Sequence, residues 1–180
     1  MKEMPFDLTR HIRSIPDWPK PGVIFRDISS LLENRLVFRK TIDLFVHRYF
    51  TTKIDAVVGI DARGFIIGAP LAYELNACFI PVRKKGKLPG NTISEAYSLE
   101  YGTAEVEIQT DWLKSGDHVI LIDDLIATGG TMLAAANLLH RLGVEIVEAA
   151  AIIDLPDLGG SRKLKESGVS VHAFCEFEGE

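Results

Sequence analysis

The chain has 180 residues, 47% of them apolar and 25% charged. That is the size and balance of one globular domain, and it excludes a disordered, collagenous or coiled-coil chain. With 20 basic and 25 acidic residues the net charge is −5, which argues against broad coating of nucleic acid or of an anionic membrane but leaves room for a local cationic site. Cys78 and Cys175 form no C-x-x-C pair, so they suit a reducing, cytoplasmic setting and supply no zinc framework. The first residues lack the apolar stretch of a secretory signal. The most apolar windows, residues 65–75 and 149–155, fall far short of the roughly 20 residues a membrane helix needs.

In chain order, the stretch through Asp27 carries Pro16, Pro19 and Pro21, which predicts a short first helix followed by an extended arm around the core. Residues 36–50 repeat Val37, Thr41, Leu44 and Phe45 at helical spacing. Short apolar runs at 56–60, 78–82, 118–122, 145–153 and 169–174 do not alternate strictly with polar residues, as expected of strands covered on both faces. Between them, residues 65–75 and 131–142 read as helices, the second stopped by Gly143 as its C′ residue. Gly159-Gly160-Ser161 reads as a turn with Ser161 capping a further helix. The alternation predicts an α/β domain with a central, mostly parallel sheet and flanking helices, its ligand beyond the carboxyl ends of the strands. Residues 83–110 break the rhythm with Gly86, Pro89, Gly90 and Gly102. Two weakly alternating pieces there, 92–98 and 103–109, predict a hairpin or a mobile flap over a binding site.

The richest segment is VILIDDLIATGGT, residues 119–131. A strand runs into two carboxylates, Asp123 and Asp124, then into a turn of small residues, Ala127, Thr128, Gly129, Gly130 and Thr131, and a helix follows. Glycines let backbone N–H groups converge, and a helix N-terminus adds positive partial charge, so the turn is a phosphate cradle. It has neither the lysine of the G-x-x-x-x-G-K-[ST] loop nor a G-x-G-x-x-G turn, which sets aside a nucleotide-dependent oxidoreductase. An isolated Gly-Gly turn is more often only a strand–helix connection with capping Asp and Thr; the carboxylate pair before it shifts the balance. Two acids beside a phosphate cradle would repel the ligand unless they grip hydroxyls or a bridging cation such as Mg²⁺. A ligand with a phosphate and vicinal hydroxyls, as in a ribose phosphate, meets both demands. The histidines, His11, His47, His118, His140 and His172, are scattered without a metal-binding pattern, and residues 175–180 carry no functional signal.

Residues 119–131 resemble the phosphoribosyl-pyrophosphate (PRPP) motif of the type I phosphoribosyltransferases along their whole length. The blocks IRSIPDWPKPGVIFRDI (12–28), VGIDARGFIIG (58–68), RKKGKLP (83–89) and YSLEYGTAEVEI (97–108) are similar to the adenine-using branch of that family. The resemblance implies transfer of a phosphoribosyl group from PRPP to adenine, giving AMP and pyrophosphate, with Mg²⁺ carried by the substrate and Asp123 and Asp124 as possible contacts. It places the ribose hydroxyls on Asp123 and Asp124 and the 5′-phosphate on Ala127 to Thr131. Arg63, suited to bidentate phosphate binding, Arg83, Lys84 and Lys87 fall on pyrophosphate, and Lys85 has no implied role. Glu100 becomes the acid/base that moves the purine proton, and Tyr101 helps close the site; Arg63 joins them as a catalytic group. Ile24, Phe25 and Arg26, with Leu125, make the adenine pocket, Phe25 and Leu125 offering the apolar sandwich a flat purine needs. One domain, 1–180, is expected, with 1–30 as an arm of the base pocket and 83–110 as the flap. The family further implies a homodimer, small-molecule substrates, and no nucleic-acid or membrane partner. Position 62 is Ala where some relatives carry Ser, so that hydroxyl is dispensable or replaced by backbone. Two other readings stay open: a sister enzyme for 6-oxopurines, and a non-catalytic ligand-sensing regulator on the same fold.

Overall fold

Alternate residues of the buried strands face opposite ways, and this decides the architecture. The structure, a computed structural model, describes residues 6–98 and 102–179. A 3-10 turn (Leu8–His11) leads into β1 (Arg13–Pro16), β2 (Ile24–Asp27), α1 (Ser29–Glu33), α2 (Arg35–Tyr49), β3 (Ala56–Ile60), α3 (Arg63–Glu74) and β4 (Cys78–Lys84). The chain continues through β5 (Thr92–Ser98), β6 (Thr103–Gln109), β7 (His118–Ile122), β8 (Leu125–Ile126), α4 (Gly130–Arg141) and β9 (Glu145–Asp154). A second 3-10 turn (Pro156–Leu158), α5 (Gly160–Glu166) and β10 (Val171–Glu176) complete it.

The main sheet runs β10-β9-β7-β3-β4-β6-β5, with the short β8 beside β9. Pairings from β10 to β4 are parallel, and β6 joins β4 and β5 antiparallel. Val58, Leu121, Ala149 and Ala151 point to one face, where Ala135, Leu138 and Leu139 of α4 and Leu164 of α5 cover them. Val57, Ile120, Ile122, Ala150 and Ile152 point to the other, against Phe45 of α2 and Ile67 and Leu71 of α3. Both faces are dry, which explains the near-continuous apolar strands in the sequence. In α2, Val37, Thr41 and Phe45 turn inward as expected, and the Asn34 side chain caps its start by accepting from Leu36 and Val37 N–H at 3.1 and 3.3 Å.

The arm is more ordered than a Pro-rich wrap. β1 and β2 pair antiparallel, Arg13 opposite Asp27 through Pro16 opposite Ile24. Asp27 is buried at the hinge into α1, accepting from Arg13 and from Ser29 N–H. Residues 92–98 and 103–109 form the expected hairpin. One expectation fails: Ser161 does not cap α5. Gly159, at φ +76°, holds the cap position, and Ser161 lies buried inside the first turn. The chain must turn through left-handed backbone there, which glycine does without a Cβ clash.

Candidate active site

Parallel strands β3, β4 and β7 end side by side, so the loops after them meet at one edge. After β7, Asp123 and Asp124 lead through β8 to the cradle. Gly129 sits at φ +78° as the residue before α4, and Gly130 opens the helix. After β3, Asp61 and Ala62 lead to Arg63, the first residue of α3, and Gly64 packs so close to β7 that a Cβ would lie 2.7 Å from the Ile122 carbonyl oxygen. That approach sets Arg63 against the carboxylate pair: its Nε donates to Asp124 Oδ2 at 2.5 Å. At the end of β4, Arg83 Nε donates to Asp61 Oδ2 at 2.8 Å. A cavity of about 180 Å³ collects all three loops, lined by Asp61, Arg83, Lys84, Tyr97, Asp123 and Thr131 among others. A second, of about 110 Å³, is lined by Asp123 and residues 125–132.

Charge is arranged unevenly here. Asp124 is buried and Asp123 half-buried. Burial, and then the adjacent Asp124, push the Asp123 carboxyl well above the usual carboxylate range, against the pull of Arg63 and of the Asp124 N–H that donates to Asp123 Oδ1 at 2.8 Å. Burial also opposes the charge of Arg63, but Asp124 and then Asp123 outweigh it and raise its proton affinity. Arg63 therefore stays charged beside the two acids. Its guanidinium carbon lies 5.8 Å from the Phe25 ring, so it links the carboxylates to the arm.

On β2, Ile24, Phe25 and Arg26 are each partly exposed, and Trp18 meets Phe25 edge-on at 4.3 Å between ring centres. Leu125 stands on β8 at the rim of the smaller cavity. The Arg26 side chain turns instead to the C-terminal segment: it donates to Ser14 Oγ and the Glu178 carbonyl and lies 4.5 Å from the Phe177 ring. Residues 177–179, silent in the sequence, thus brace the arm. Lys84 and Lys87 are exposed, and Lys85 pairs with Glu105. Glu100 and Tyr101 lie outside the described residues.

Three contributors escaped the sequence reading. Tyr97 lines the larger cavity and stands over Gly130, whose Cβ would lie 3.0 Å from its ring. Asp61 holds Arg83, and the buried Glu107 holds the basic loop by accepting from Lys87 and Leu88 N–H at 2.9 and 2.8 Å. Asp61 lies inside the VGIDARGFIIG block, where its acid type beside strand-end cations was a usable signal; Tyr97 and Glu107 lie inside the 97–108 block, but their roles are set by partners about 20 or more residues away.

Residues 27–174 match the model of the phosphoribosyl transferase domain. A protein of Marinobacter nauticus described as adenine phosphoribosyltransferase is 64% identical over 173 residues, 96% of either chain. The crystal structure of adenine phosphoribosyltransferase from Rhodothermus marinus superposes with a TM-score of 0.88 at 44% identity, covering 94% of this chain and 96% of that one. The Saccharomyces cerevisiae enzyme, complexed with an imino-altritol bisphosphate and adenine, gives a TM-score of 0.88 at 37% identity, covering 93% and 96%. With the strand-end carboxylates, the glycine cradle and the opposed cations on one edge of the sheet, the chain belongs to the phosphoribosyl transferase family.

Proposed function

We propose that this chain is a purine salvage enzyme that converts adenine and PRPP to AMP and pyrophosphate. One observation carries the reading: a carboxylate pair, a glycine cradle and a row of cations converge at the carboxyl ends of three adjacent parallel strands. Ribose hydroxyls suit Asp123 and Asp124, the 5′-phosphate suits Ala127 to Thr131, and pyrophosphate suits Arg63, Arg83, Lys84 and Lys87. Adenine would lie on Phe25 with Leu125 opposite, its amino edge read by the backbone of Ile24 and Arg26.

In the reaction N9 of adenine forms a bond to the anomeric carbon while the bond to pyrophosphate oxygen breaks. Negative charge grows on the leaving group, where fixed guanidinium and ammonium groups stabilise it without having to reorganise. Glu100 takes the purine proton, and Tyr101 helps keep water from the activated sugar. The adjacent carboxylates of Asp123 and Asp124 are hard oxygen donors of the kind that would share a Mg²⁺ ion with substrate oxygens. When bound, that ion supplies charge neutralisation for the leaving pyrophosphate.

A homodimer accords with Ile66 and Tyr73, which are exposed and seven residues apart on α3. A cytoplasmic setting accords with two free thiols, and no described helix is long and apolar enough to cross a membrane. The experiment is an assay with PRPP, Mg²⁺ and equal concentrations of adenine, hypoxanthine and guanine. AMP should form in the adenine arm at a rate far above either 6-oxopurine product. Product only from hypoxanthine or guanine would assign the sister activity, and none at all would leave a regulator.

A further inference from the structure

The phosphate cradle is braced by a part of the chain with no assigned role. The Gly160 N–H, at the start of α5, donates to the Ala127 carbonyl at 3.0 Å, and Lys163 Nζ donates to the Thr128 carbonyl at 3.2 Å. Both peptide bonds, 127–128 and 128–129, are trans. In a planar trans peptide the N–H points opposite to the C=O. Fixing the Ala127 and Thr128 carbonyls toward α5 therefore aims the Thr128 and Gly129 N–H groups away from it. Those are the donors a phosphate on this loop needs.

The contact leaves no slack. A Cβ on Gly160 would lie 2.3 Å from the Ala127 oxygen and 2.6 Å from the Gly129 nitrogen, and a Cβ on Gly129 would lie 2.7 Å from the Gly160 Cα. Both partners are main chain, which cannot swing aside as a side chain does. Gly160 has no positive φ, so its need for glycine is one of space alone. The two glycine turns interlock, and Lys163 closes the contact over the next carbonyl.

We propose that Gly160 and Lys163 are positioning residues for phosphate recognition: they hold the 127–129 peptides with their N–H groups turned toward the 5′-phosphate without touching it. The inference rests on the reading of residues 127–131 as the 5′-phosphate cradle. AMP and adenosine differ by that phosphate alone, so the ratio of their dissociation constants isolates it.

The experiment measures both constants by calorimetry for the whole protein and for Gly160→Ala, Lys163→Met and Lys163→Arg. The native chain should bind AMP much more tightly than adenosine. Gly160→Ala and Lys163→Met should cut that preference about three- to tenfold, the worth of one or two hydrogen bonds, with adenosine affinity unchanged. Lys163→Arg, which keeps a donor for the Thr128 carbonyl, should restore most of it. A general loss of structure would weaken both ligands together, so the ratio separates positioning from unfolding. If Gly160→Ala does not fold, the two Lys163 variants decide the matter. Variants that keep the full preference for AMP overturn the positioning role. A native chain that binds adenosine as tightly as AMP overturns the phosphate reading of the loop itself, a distinct result seen before any variant is made.

Discussion

Asp123 shows how a single residue trades stability for function. In the fold its pKa lies well above the ordinary value for an aspartate carboxyl, chiefly through burial and then through Asp124. The folded chain thus binds a proton there more readily than the unfolded chain. Stability falls as pH rises past that ordinary value, and the full cost is borne above the raised one. The fold opposes a negative charge at this position, which is expected of a carboxylate placed to grip a ligand. Asp123→Asn removes the cost and keeps an oxygen to accept from the Asp124 N–H. Its melting temperature at pH 7 should rise, by about 2–4 °C for each kcal/mol recovered in a chain of this size, and the gain should shrink as pH falls toward 4. Its kcat/KM for PRPP should drop together with that rise. A calorimetric scan showing an equal or lower melting temperature at pH 7 would remove the strain argument.

At the scale of elements, the loop between β4 and the β5–β6 hairpin depends on one buried carboxylate. Burial opposes the charge of Glu107, but N–H groups of Leu88, Gly86 and Lys87 outweigh it and hold its pKa below the ordinary glutamate value of 4.5. Its contribution is therefore present above pH 4.5 and fades as pH falls below that. Glu107→Gln leaves a weaker, uncharged acceptor for these N–H groups, so the loop bearing Lys87 and the strand end bearing Arg83 and Lys84 should loosen. The KM for PRPP should rise about three- to tenfold and stability fall by about 1–2 kcal/mol, with the KM for adenine unchanged. Steady-state kinetics with each substrate varied in turn reads the split, and an equal rise in both constants would argue against it. Such long-range supports mark where sequence reading stops. Residues 119–131 were legible because strand, acids, glycines and helix are contiguous, and the 92–98 and 103–109 pieces because alternation survives in a hairpin. Glu107 under Lys87, Gly160 against Ala127 and Glu178 beside Arg26 are pairs made only by folding, and in each the supporting member, Glu107, Gly160 or Glu178, alone reads as surface or turn. Ser161 misled for a related reason: a Gly-Gly-Ser turn suggests a serine cap, but close packing on the cradle drew the glycines into the helix start and buried the serine.

Across the whole molecule, the candidate site lies at the carboxyl edge of the sheet while a separate polar tie fastens the scaffold below it. Arg48 and Tyr49, at the end of α2, both donate to Glu148 near the amino end of β9, at 2.6–2.7 Å. Burial works against the Glu148 charge, yet Arg48 and then Tyr49 hold its pKa below 4.5; burial, and then Glu148, push the Tyr49 hydroxyl up. The Arg48 side chain is 37% exposed, so water screens part of the pair. Glu148→Ala would strand a guanidinium and a buried hydroxyl at once, which should cost about 2–3 kcal/mol and lower the melting temperature by about 4–12 °C. Glu148 lines neither cavity at the site, and neither do its partners Arg48 and Tyr49. At a temperature where the variant stays folded, kcat/KM for PRPP should hold within about twofold, because sites that share no partners act additively. A loss of kcat/KM in step with the loss of stability would mean instead that the α2–β9 tie sets the shape of the catalytic edge, and that scaffold and site are one mechanical unit.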